Sequence, residues 1–415
     1  AMLLAGLLDR LIRVGTLGVI DAAGRKRVFR GPEPGPRATI RLHDRAIEWR
    51  ILLDGELALG EAWMDERLTL EEGTLYDLLE LVMSNLAKGD RRGWVGRVQR
   101  GLNALRTAYD RNPIGRAKRN IAHHYDLSGE LYELFLDSER EYTCAYFPRP
   151  DADIEEAQRA KERHIAAKLL LEPGMKVLDM GCGWGALGRY LARTFDVEVT
   201  GVTLSKEQVA YANARAEREG LAGRTRFLYQ DYREVEGRFD RIVSVGMLEH
   251  VGKAHYPELF AKIGALLTDD GVALVHSMGH MAGPGYPNPW IRKYIFPGGY
   301  IPALSDVLPP LERSGLWLTD CEILRLHYAE TLRCWREKFE YNRARIRRIY
   351  DDRFCRMWEF YLIASELSFR VGDLMIFHLQ LAKDRAAVPL LRDYMVDRER
   401  ELASAERPPR LRAAE

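Results

Sequence analysis

The chain has 415 residues, of which 47% are hydrophobic and 30% are charged, and its formal net charge at pH 7 is +1. This length exceeds one typical hydrophobic core and favours two domains. The near-neutral charge excludes a protein that binds polyanions through its overall charge, and five cysteines without a C-x-x-C pair indicate neither a metal site nor a disulfide framework, which favours a reducing, cytoplasmic compartment.

The first 90 residues predict a small α+β domain. Leucines at helical spacing begin it with an amphipathic helix, which charged residues interrupt before it could be a signal peptide or a membrane span. Residues 17 to about 60 predict short strands broken by turns, because 38–42 alternates apolar and polar residues and 31–36 is rich in glycine and proline. A helix is predicted over 74–86 from its leucine stripe.

Residues 91–120 form a basic segment, with nine basic residues and one acid, Asp110. On a helical wheel Trp94 lies on the apolar face, whereas Arg92, Arg97 and Arg100 lie away from it. A basic helix with such a face can lie on an anionic membrane surface. It can equally be a solvated linker that packs on a neighbouring element.

From about residue 155 the pattern alternates helix and strand. Alternation of this kind predicts a parallel sheet covered on both faces, the doubly wound α/β class. Residues 337–403 are predicted to be mostly helical, apart from a late strand near 375–381. The predicted order is helix 155–170, strand 176–180, helix 185–194, strand 197–202, helix 205–219, strand 224–229, strand 239–245, helix 255–267 and strand 271–277.

The strand at 176–180 ends on a carboxylate and opens into a glycine-rich turn, since residues 179–185 read DMGCGWG. Glycines let the backbone approach a ligand at a helix N-terminus without a Cβ clash. A glycine triplet also fits the dinucleotide fingerprint, or merely a tight turn. The D-x-G-x-G-x-G spacing resembles the S-adenosylmethionine (SAM) loop of class I methyltransferases.

Six further segments occur in order along the chain: YTCAYF at 142–147, VTLSKEQ at 202–208, QDYR at 230–233, MLEHVG at 247–252, LVHS at 274–277 and HYAETL at 327–332. Together they resemble the cyclopropane-fatty-acid synthases and the related mycolic acid cyclopropane synthases. The similarity covers roughly residues 115 to 390. The N-terminal domain resembles the additional lipid-binding domain of the bacterial, phospholipid-acting branch.

The resemblance implies a lipid-binding domain at 1–90, a basic linker at 91–120 and a catalytic domain at 121–415 with a class I methyltransferase sheet. It also implies a homodimer that associates peripherally with the inner face of the membrane. We expect the basic segment and the N-terminal domain to bring the active site to anionic bilayers.

The resemblance further implies the residues that contact SAM. Asp179, Gly181 and Gly183 should lie beside its methionine part. The second strand has no acid where one usually binds the ribose hydroxyls, so uncharged polar groups and backbone should bind them. The remaining expected contacts are Thr203, Leu204 and Gln208 at the ribose, Asp231 and Tyr232 at the adenine edge, and Tyr142 and Thr143 covering the cofactor.

The reaction implied is methyl transfer from SAM to a cis double bond of an unsaturated acyl chain. The resulting carbocation loses a proton from the new methyl group and closes a three-membered ring. The resemblance implies bicarbonate as the general base, held by Glu249, His276 and Tyr328, with Cys144 completing the pocket. An anion there would stabilise the developing positive charge and accept the proton.

Several alternatives stay open at this point. Cys144 and His276 could be buried core residues, and aromatic residues at 290–296 could be core instead of an acyl tunnel whose Arg292 and Lys293 meet lipid phosphates. Sibling enzymes form methyl-branched or methylene products. A nucleic-acid methyltransferase is disfavoured because 245–249 reads VGMLE and not an Asn/Asp-Pro-Pro-aromatic element. A lipid carrier with a degenerate methyltransferase is the non-enzymatic alternative.

Overall fold

A computed structural model describes residues 4–88, 129–286 and 288–406. The basic segment at 91–120 lies outside the described residues. Within the part of the chain that is described, no helix combines the length and apolar character that crossing a membrane requires.

The N-terminal part forms a four-stranded sheet with four helices. Its elements are α1 (Ala5–Leu11), β1 (Val14–Ile20), β2 (Lys26–Arg30), β3 (Glu33–Leu42), α2 (Arg45–Leu53), α3 (Gly55–Met64), β4 (Leu68–Glu72) and α4 (Leu75–Lys88). The strand order is β2-β1-β3-β4, in which β1 and β3 are parallel and the other pairs are antiparallel. Helix α4 packs on β1 and β3, because its leucine stripe is buried against them.

Two expectations for this part are wrong. The stretch after β3 is helical, not extended: α2 begins at Asp44, whose side chain accepts a hydrogen bond from the backbone N–H of Ile47 and caps the helix. Two prolines of the glycine- and proline-rich stretch, Pro34 and Pro36, lie within β3 and not in a turn. The register of β3 against β1 shifts beside them, which accommodates residues that cannot donate to a ladder.

The larger part of the chain forms a seven-stranded sheet with helices on both faces. Its strands are β5 (Lys176–Met180), β6 (Glu198–Thr203), β7 (Thr225–Tyr229), β8 (Phe239–Val245), β9 (Leu267–His280), β10 (Trp317–Leu324) and β11 (Leu374–Ala382). Its helices are α5 (Gly129–Phe135), α6 (Ile154–Leu169), α7 (Ala186–Phe195), α8 (Lys206–Arg218), α9 (Leu248–Val251), α10 (Tyr256–Leu266), α11 (Pro289–Tyr294), α12 (Leu304–Glu312), α13 (His327–Ile349), α14 (Asp352–Arg370) and α15 (Asp393–Ala405).

The strand order of this sheet is β10-β11-β9-β8-β5-β6-β7. The doubly wound α/β class predicted from the alternation is confirmed, with one antiparallel strand: β11 runs opposite to both β9 and β10. The chain leaves β5 toward one edge through β6 and β7, and then returns to β8 on the other side of β5. Ligands bind at such a switch point, beyond the carboxyl ends of the strands.

The N-terminal sheet and the larger sheet are joined by one hydrophobic cluster. Helix α14 packs against α3 and α4. Trp290 of α11 is fully buried on Gly60 of α3, where an added Cβ would lie 2.5 Å from the indole ring. The indole N–H of Trp290 points to the sulfur of Met64 at 3.3 Å. Because Gly60 has no side chain, α11 can pack closely on α3 of the N-terminal part.

Candidate active site

A cavity opens at the carboxyl ends of β5, β6, β7, β8 and β9. All fourteen candidate site residues line it, although they come from seven separate stretches of the chain. They are Tyr142, Thr143, Cys144, Asp179, Gly181, Gly183, Thr203, Leu204, Gln208, Asp231, Tyr232, Glu249, His276 and Tyr328. Their individual roles stay predictions.

The glycine-rich loop after β5 needs its glycines for two different reasons. Gly181, Gly183 and Gly185 have φ angles of 84°, 53° and 79°, in the left-handed region that favours glycine. A Cβ on Gly183 would meet no protein atom within 4 Å, so the loop is open there. A Cβ on Gly185 would lie 2.8 Å from the side chain of Ala212. The loop therefore leaves space for a ligand at Gly183 and packs tightly at Gly185.

Asp179 ends β5 beside this loop and is almost fully buried. Its Oδ2 has no hydrogen-bond partner among the described residues. Burial raises the pKa of Asp179 to about 7, against the opposing charge of Lys161. A buried carboxylate oxygen without a partner is costly. The amino group of a bound SAM would satisfy it, so this residue fits the cofactor expected from the sequence.

The end of β6 carries uncharged polar groups in place of an acid. The Thr203 hydroxyl donates to the side-chain oxygen of Gln208 at 2.7 Å, and the Ser205 hydroxyl caps α8 by accepting from the Gln208 backbone N–H at 3.3 Å. The Thr203 bond orients the Gln208 amide, whose nitrogen can then donate to a ligand hydroxyl.

Asp231 follows β7 and is held by its neighbour Arg233. The guanidinium Nε and Nη2 donate to the two carboxylate oxygens, each at 2.8 Å. An adenine contact would therefore have to share this carboxylate with Arg233.

The segment at 142–145, which contributes residues to the cavity wall, forms hydrogen bonds with α13 and α14. The hydroxyls of Tyr142 and Tyr361 lie 2.7 Å apart, and the Ala145 backbone N–H donates to the Thr331 hydroxyl at 3.0 Å. These contacts hold Cys144 in the cavity wall. Burial raises the pKa of its thiol above the ordinary range, and a protonated thiol is a weak nucleophile. The position suits a wall residue, the role expected for Cys144.

Glu249 lies on the short helix that follows β8. Its Oε1 accepts a hydrogen bond from the Met278 backbone N–H at 2.7 Å, whereas its Oε2 has no partner among the described residues. Burial raises the pKa of Glu249 to about 7, against the hydrogen bonds from Met278 and Ser277. Near neutral pH the carboxyl group can therefore carry a proton and donate it in a hydrogen bond.

His276 lies on β9, and its Nδ1 is 2.8 Å from Nε2 of His378. Burial lowers the pKa of His276 to about 3, so the ring is neutral at physiological pH. His378 was not singled out in the sequence. The late strand near 375–381 was predicted and is confirmed as β11, but its pairing was not, and the register places His378 directly opposite His276.

Tyr328 lines the cavity as expected, whereas most of the proposed acyl-tunnel segment does not. Tyr328, in the first turn of α13, lines the cavity with its ring 5.0 Å from that of Phe369. Of the proposed tunnel segment, only Phe296 lines this cavity within the described residues. Trp290 belongs to the packing on α3, and the Lys293 ammonium forms a 2.6 Å salt bridge with Glu61. A lipid phosphate would have to compete with that salt bridge.

His250, adjacent to Glu249, also lines the cavity. Burial lowers its pKa to about 4, and its ring lies 5.9 Å from that of Phe296. The residue is therefore neutral at physiological pH.

The raised pKa of Glu249 has a consequence for stability. A carboxyl group with a folded-state pKa of about 7 and an ordinary value of 4.5 contributes stability that is fully present below the ordinary value and is lost as the pH rises through about 7. We expect Glu249→Gln to flatten the fall in Tm between about pH 5 and about pH 8. Calorimetry of the ligand-free protein checks this, with the exposed Glu312→Gln as control. An unchanged profile for Glu249→Gln would contradict the raised pKa.

Comparison with known proteins gives a consistent set of matches. Residues 114–379 match the profile described as mycolic acid cyclopropane synthetase. The chain is 36% identical over 351 residues to the cyclopropane-fatty-acyl-phospholipid synthase of Escherichia coli strain K12, covering 83% of this chain and 88% of that protein. It is 34% identical over 368 residues to a probable fatty acid methyltransferase of Pseudomonas putida, covering 85% and 89%. A solved structure of the mycolic acid cyclopropane synthase CmaA1, complexed with SAH and CTAB, matches with a TM-score of 0.61 and 33% identity, covering 64% of this chain and 98% of that one.

Proposed function

The chain belongs to the mycolic acid cyclopropane synthetase family of SAM-dependent methyltransferases, and from this premise we propose that it adds a methylene group from SAM to the cis double bond of an unsaturated phospholipid acyl chain, forming a cyclopropane ring. One observation carries the proposal. The glycine-rich loop after β5 and the Glu249, His276 and Tyr328 side chains line the same cavity, which supports a methyl donor and a base bound close together.

SAM supplies an electrophilic methyl group when it is bound. The open side of the loop at Gly183 and the unpartnered oxygen of Asp179 support its methionine part lying there. The oriented amide of Gln208 supports a contact with the ribose. An alkene is a poor nucleophile, so these residues act mainly by holding the donor close to the double bond and by excluding water.

The deprotonation step needs a base, and the donor set around Glu249 fits a small anion. A protonated Glu249 can donate through Oε2, neutral His276 through Nε2, and Tyr328 through its hydroxyl. Bicarbonate is the anion that the resemblance implies, and it would supply an oxygen base beside the acyl chain. These three residues would hold the anion, and it would supply the base for the proton of the new methyl group.

Two features support a phospholipid bilayer as the source of the acyl chain. The alignment with the E. coli enzyme extends over 351 residues, well beyond the matched family region, which supports a lipid role for the N-terminal domain. On α2, Trp49 and Leu53 are 55% and 82% exposed. Exposed apolar residues of this kind can insert at a membrane surface. The proposal includes peripheral association with the inner membrane face through these residues and the basic segment at 91–120, and assembly as a homodimer.

The test is mass spectrometry of acyl chains after the protein is incubated with SAM and vesicles of a cis-monounsaturated phosphatidylglycerol. A product one CH₂ heavier that resists hydrogenation under alkene-reducing conditions is expected. Parallel vesicles of phosphatidylcholine measure the dependence on anionic lipid, and omission of SAM is the control. Absence of any acyl product in both lipids would contradict the proposed substrate.

The sibling activity is the second candidate, because one matched relative is described as a probable fatty acid methyltransferase. It would give a product of the same mass as the cyclopropane if a methylene group is formed. That product takes up hydrogen, which distinguishes it. A saturated methyl-branched product would be heavier by two further hydrogens, and its formation would require a hydride donor such as a reduced nicotinamide, which a parallel incubation would include.

A further inference from the structure

A buried series of hydrogen bonds links His276 to α6 and β10. The ammonium of Lys168, in α6, forms a salt bridge with Glu322 of β10. The same nitrogen lies 2.9 Å from Nδ1 of His378, and Nε2 of His378 lies 2.8 Å from Nδ1 of His276. Lys168 and His378 are each 1% exposed. Water therefore has little access to the two middle members of the series.

The chemistry of the linked groups determines which atom donates and which accepts in each hydrogen bond of the series. An ammonium group can only donate hydrogen bonds, so Nδ1 of His378 must accept. The proton of the neutral His378 ring is then on Nε2, which donates to Nδ1 of His276. The proton of the neutral His276 ring is consequently on its own Nε2, the nitrogen that remains for the cavity.

The charge states support this assignment of donors and acceptors. Burial alone would raise the pKa of Glu322, but hydrogen bonds from His164 and Lys168 and the charge of Lys168 hold it well below its ordinary range. Burial lowers the pKa of Lys168 below its ordinary value, but the charge and the hydrogen bond of the ionised Glu322 oppose this change and favour the ammonium form. Burial also lowers the pKa of His378 well below its ordinary value. Both imidazole rings are neutral, so the hydrogen bond between them contains a single proton.

We propose that Lys168 and His378 are positioning residues, which keep His276 in the tautomer that donates from Nε2 into the cavity. The consequence for turnover rests on the proposed function: a donor at this nitrogen orients an anionic base, whereas a lone pair there would repel it. The tautomer itself does not depend on the identity of the substrate.

A metal ion is the competing explanation for part of this cluster. One ligand atom from each of His164, Glu322 and His378 lies within 4.8 Å of the others, which is close enough for a cation. However, the Lys168 ammonium contacts both Oε2 of Glu322 and Nδ1 of His378, so a metal ion bound to these atoms would have to displace it. The ammonium occupies the position of the cation.

The first experiment reads the tautomer directly. In full-length protein labelled with ¹⁵N-histidine, the His276 signals are assigned by their loss in His276→Asn. The Nε2–H tautomer is expected in the wild type. In Lys168→Met this assignment is no longer enforced, so a mixture of the two tautomers is expected. A wild-type Nδ1–H signal, or an unchanged tautomer in folded Lys168→Met, would overturn the proposal.

A second pair of variants guards against misfolding and isolates the His378 contribution. Lys168→Met with Glu322→Gln removes both charges together, so that no unpaired buried charge remains. In His378→Phe no hydrogen bond links Lys168 to Nδ1 of His276, so a mixture of the two tautomers is expected, as in Lys168→Met. Adding Lys168→Met to His378→Phe is therefore expected to change the tautomer no further, and an additional change in that double variant would contradict the proposal.

Turnover provides the functional readout. Lys168→Met is expected to lower kcat by about 10- to 100-fold while the Kd for SAM stays unchanged, since removal of one preorganised donor acts on the reaction step. In the His378→Phe background the same substitution should have little further effect on kcat, because the two residues act through one series of hydrogen bonds. If the wild type forms no acyl product, the proposed function fails, yet the NMR result still decides the tautomer.

Discussion

Replacement of Glu249 by alanine is expected to lower kcat by about 10²- to 10³-fold and to leave the Kd for SAM within about threefold of the wild-type value. The reason lies in the two carboxyl oxygens. Oε1 is used by the Met278 backbone N–H, whereas Oε2 has no partner among the described residues and is available to the base site. Loss of that group removes one holder of the anion and none of the expected SAM contacts.

A graded variant sharpens this prediction. In Glu249→Gln the amide oxygen can still accept from Met278, and the amide NH₂ can donate to the cavity as a protonated carboxyl would. Its loss of turnover is expected to be smaller than that of Glu249→Ala. Steady-state kinetics and equilibrium SAM binding measure both quantities, with Glu258→Ala on the surface of α10 as the control. Wild-type turnover in Glu249→Ala would remove Glu249 from the base site, and equal losses in both variants would argue against a donating Glu249.

Substitution of Gly183 by valine is expected to raise the Kd for SAM by about 100-fold or more, equivalent to about 2.7 kcal/mol. Within the protein a Cβ at Gly183 meets nothing within 4 Å. The added methyl groups would therefore lie in the space that the cofactor is expected to occupy, and turnover should fall with occupancy. Isothermal titration with SAM measures the change.

The matched control for backbone strain is Gly174→Val. Gly174 precedes β5, has a φ of 81°, and also has no atom within 4 Å of an added Cβ. It does not line the cavity. Both variants place a β-branched residue at positive φ, so both should lower Tm by similar amounts. Only Gly183→Val should weaken SAM binding. Equal weakening in the two variants would show that strain, and not occupation of the site, causes the effect.

Much of the larger sheet could be predicted from local pattern. Alternating helices and strands were placed correctly because each is a short, strongly periodic run. One strand of this sheet and two helices of the N-terminal part were harder to predict. β10 is an edge strand with mostly half-exposed or exposed residues, so it lacks an apolar signal. The helices α2 and α3 were predicted as strands, because a preceding alternating stretch was extended past the cap at Asp44.

The candidate residues were found because their segments occur in a recognisable order, and the fold brings all of them to one cavity. The residues that form hydrogen bonds with these candidates from distant parts of the chain were not predicted. His378 and Lys168 have no spacing relative to His276 that marks them, since they are 102 and 108 residues away along the chain. Tyr361, which meets Tyr142, is separated from it by 219 residues. Contacts of this kind depend on strand pairing and helix packing and not on local periodicity.

From the amino-acid sequence alone we predicted the doubly wound class, the glycine turn, the lack of an acid at the end of β6 and the family. These properties follow from residue type and short-range spacing, because steric and hydrogen-bonding preferences act between residues that are close in sequence. The folded structure was needed for the antiparallel pairing of β11, the hydrogen bond between His276 and His378 and the burial that raises the pKa values of Asp179 and Glu249. Strand pairing and the desolvation of a side chain depend on segments that are distant in sequence. These segments come together only when the chain folds.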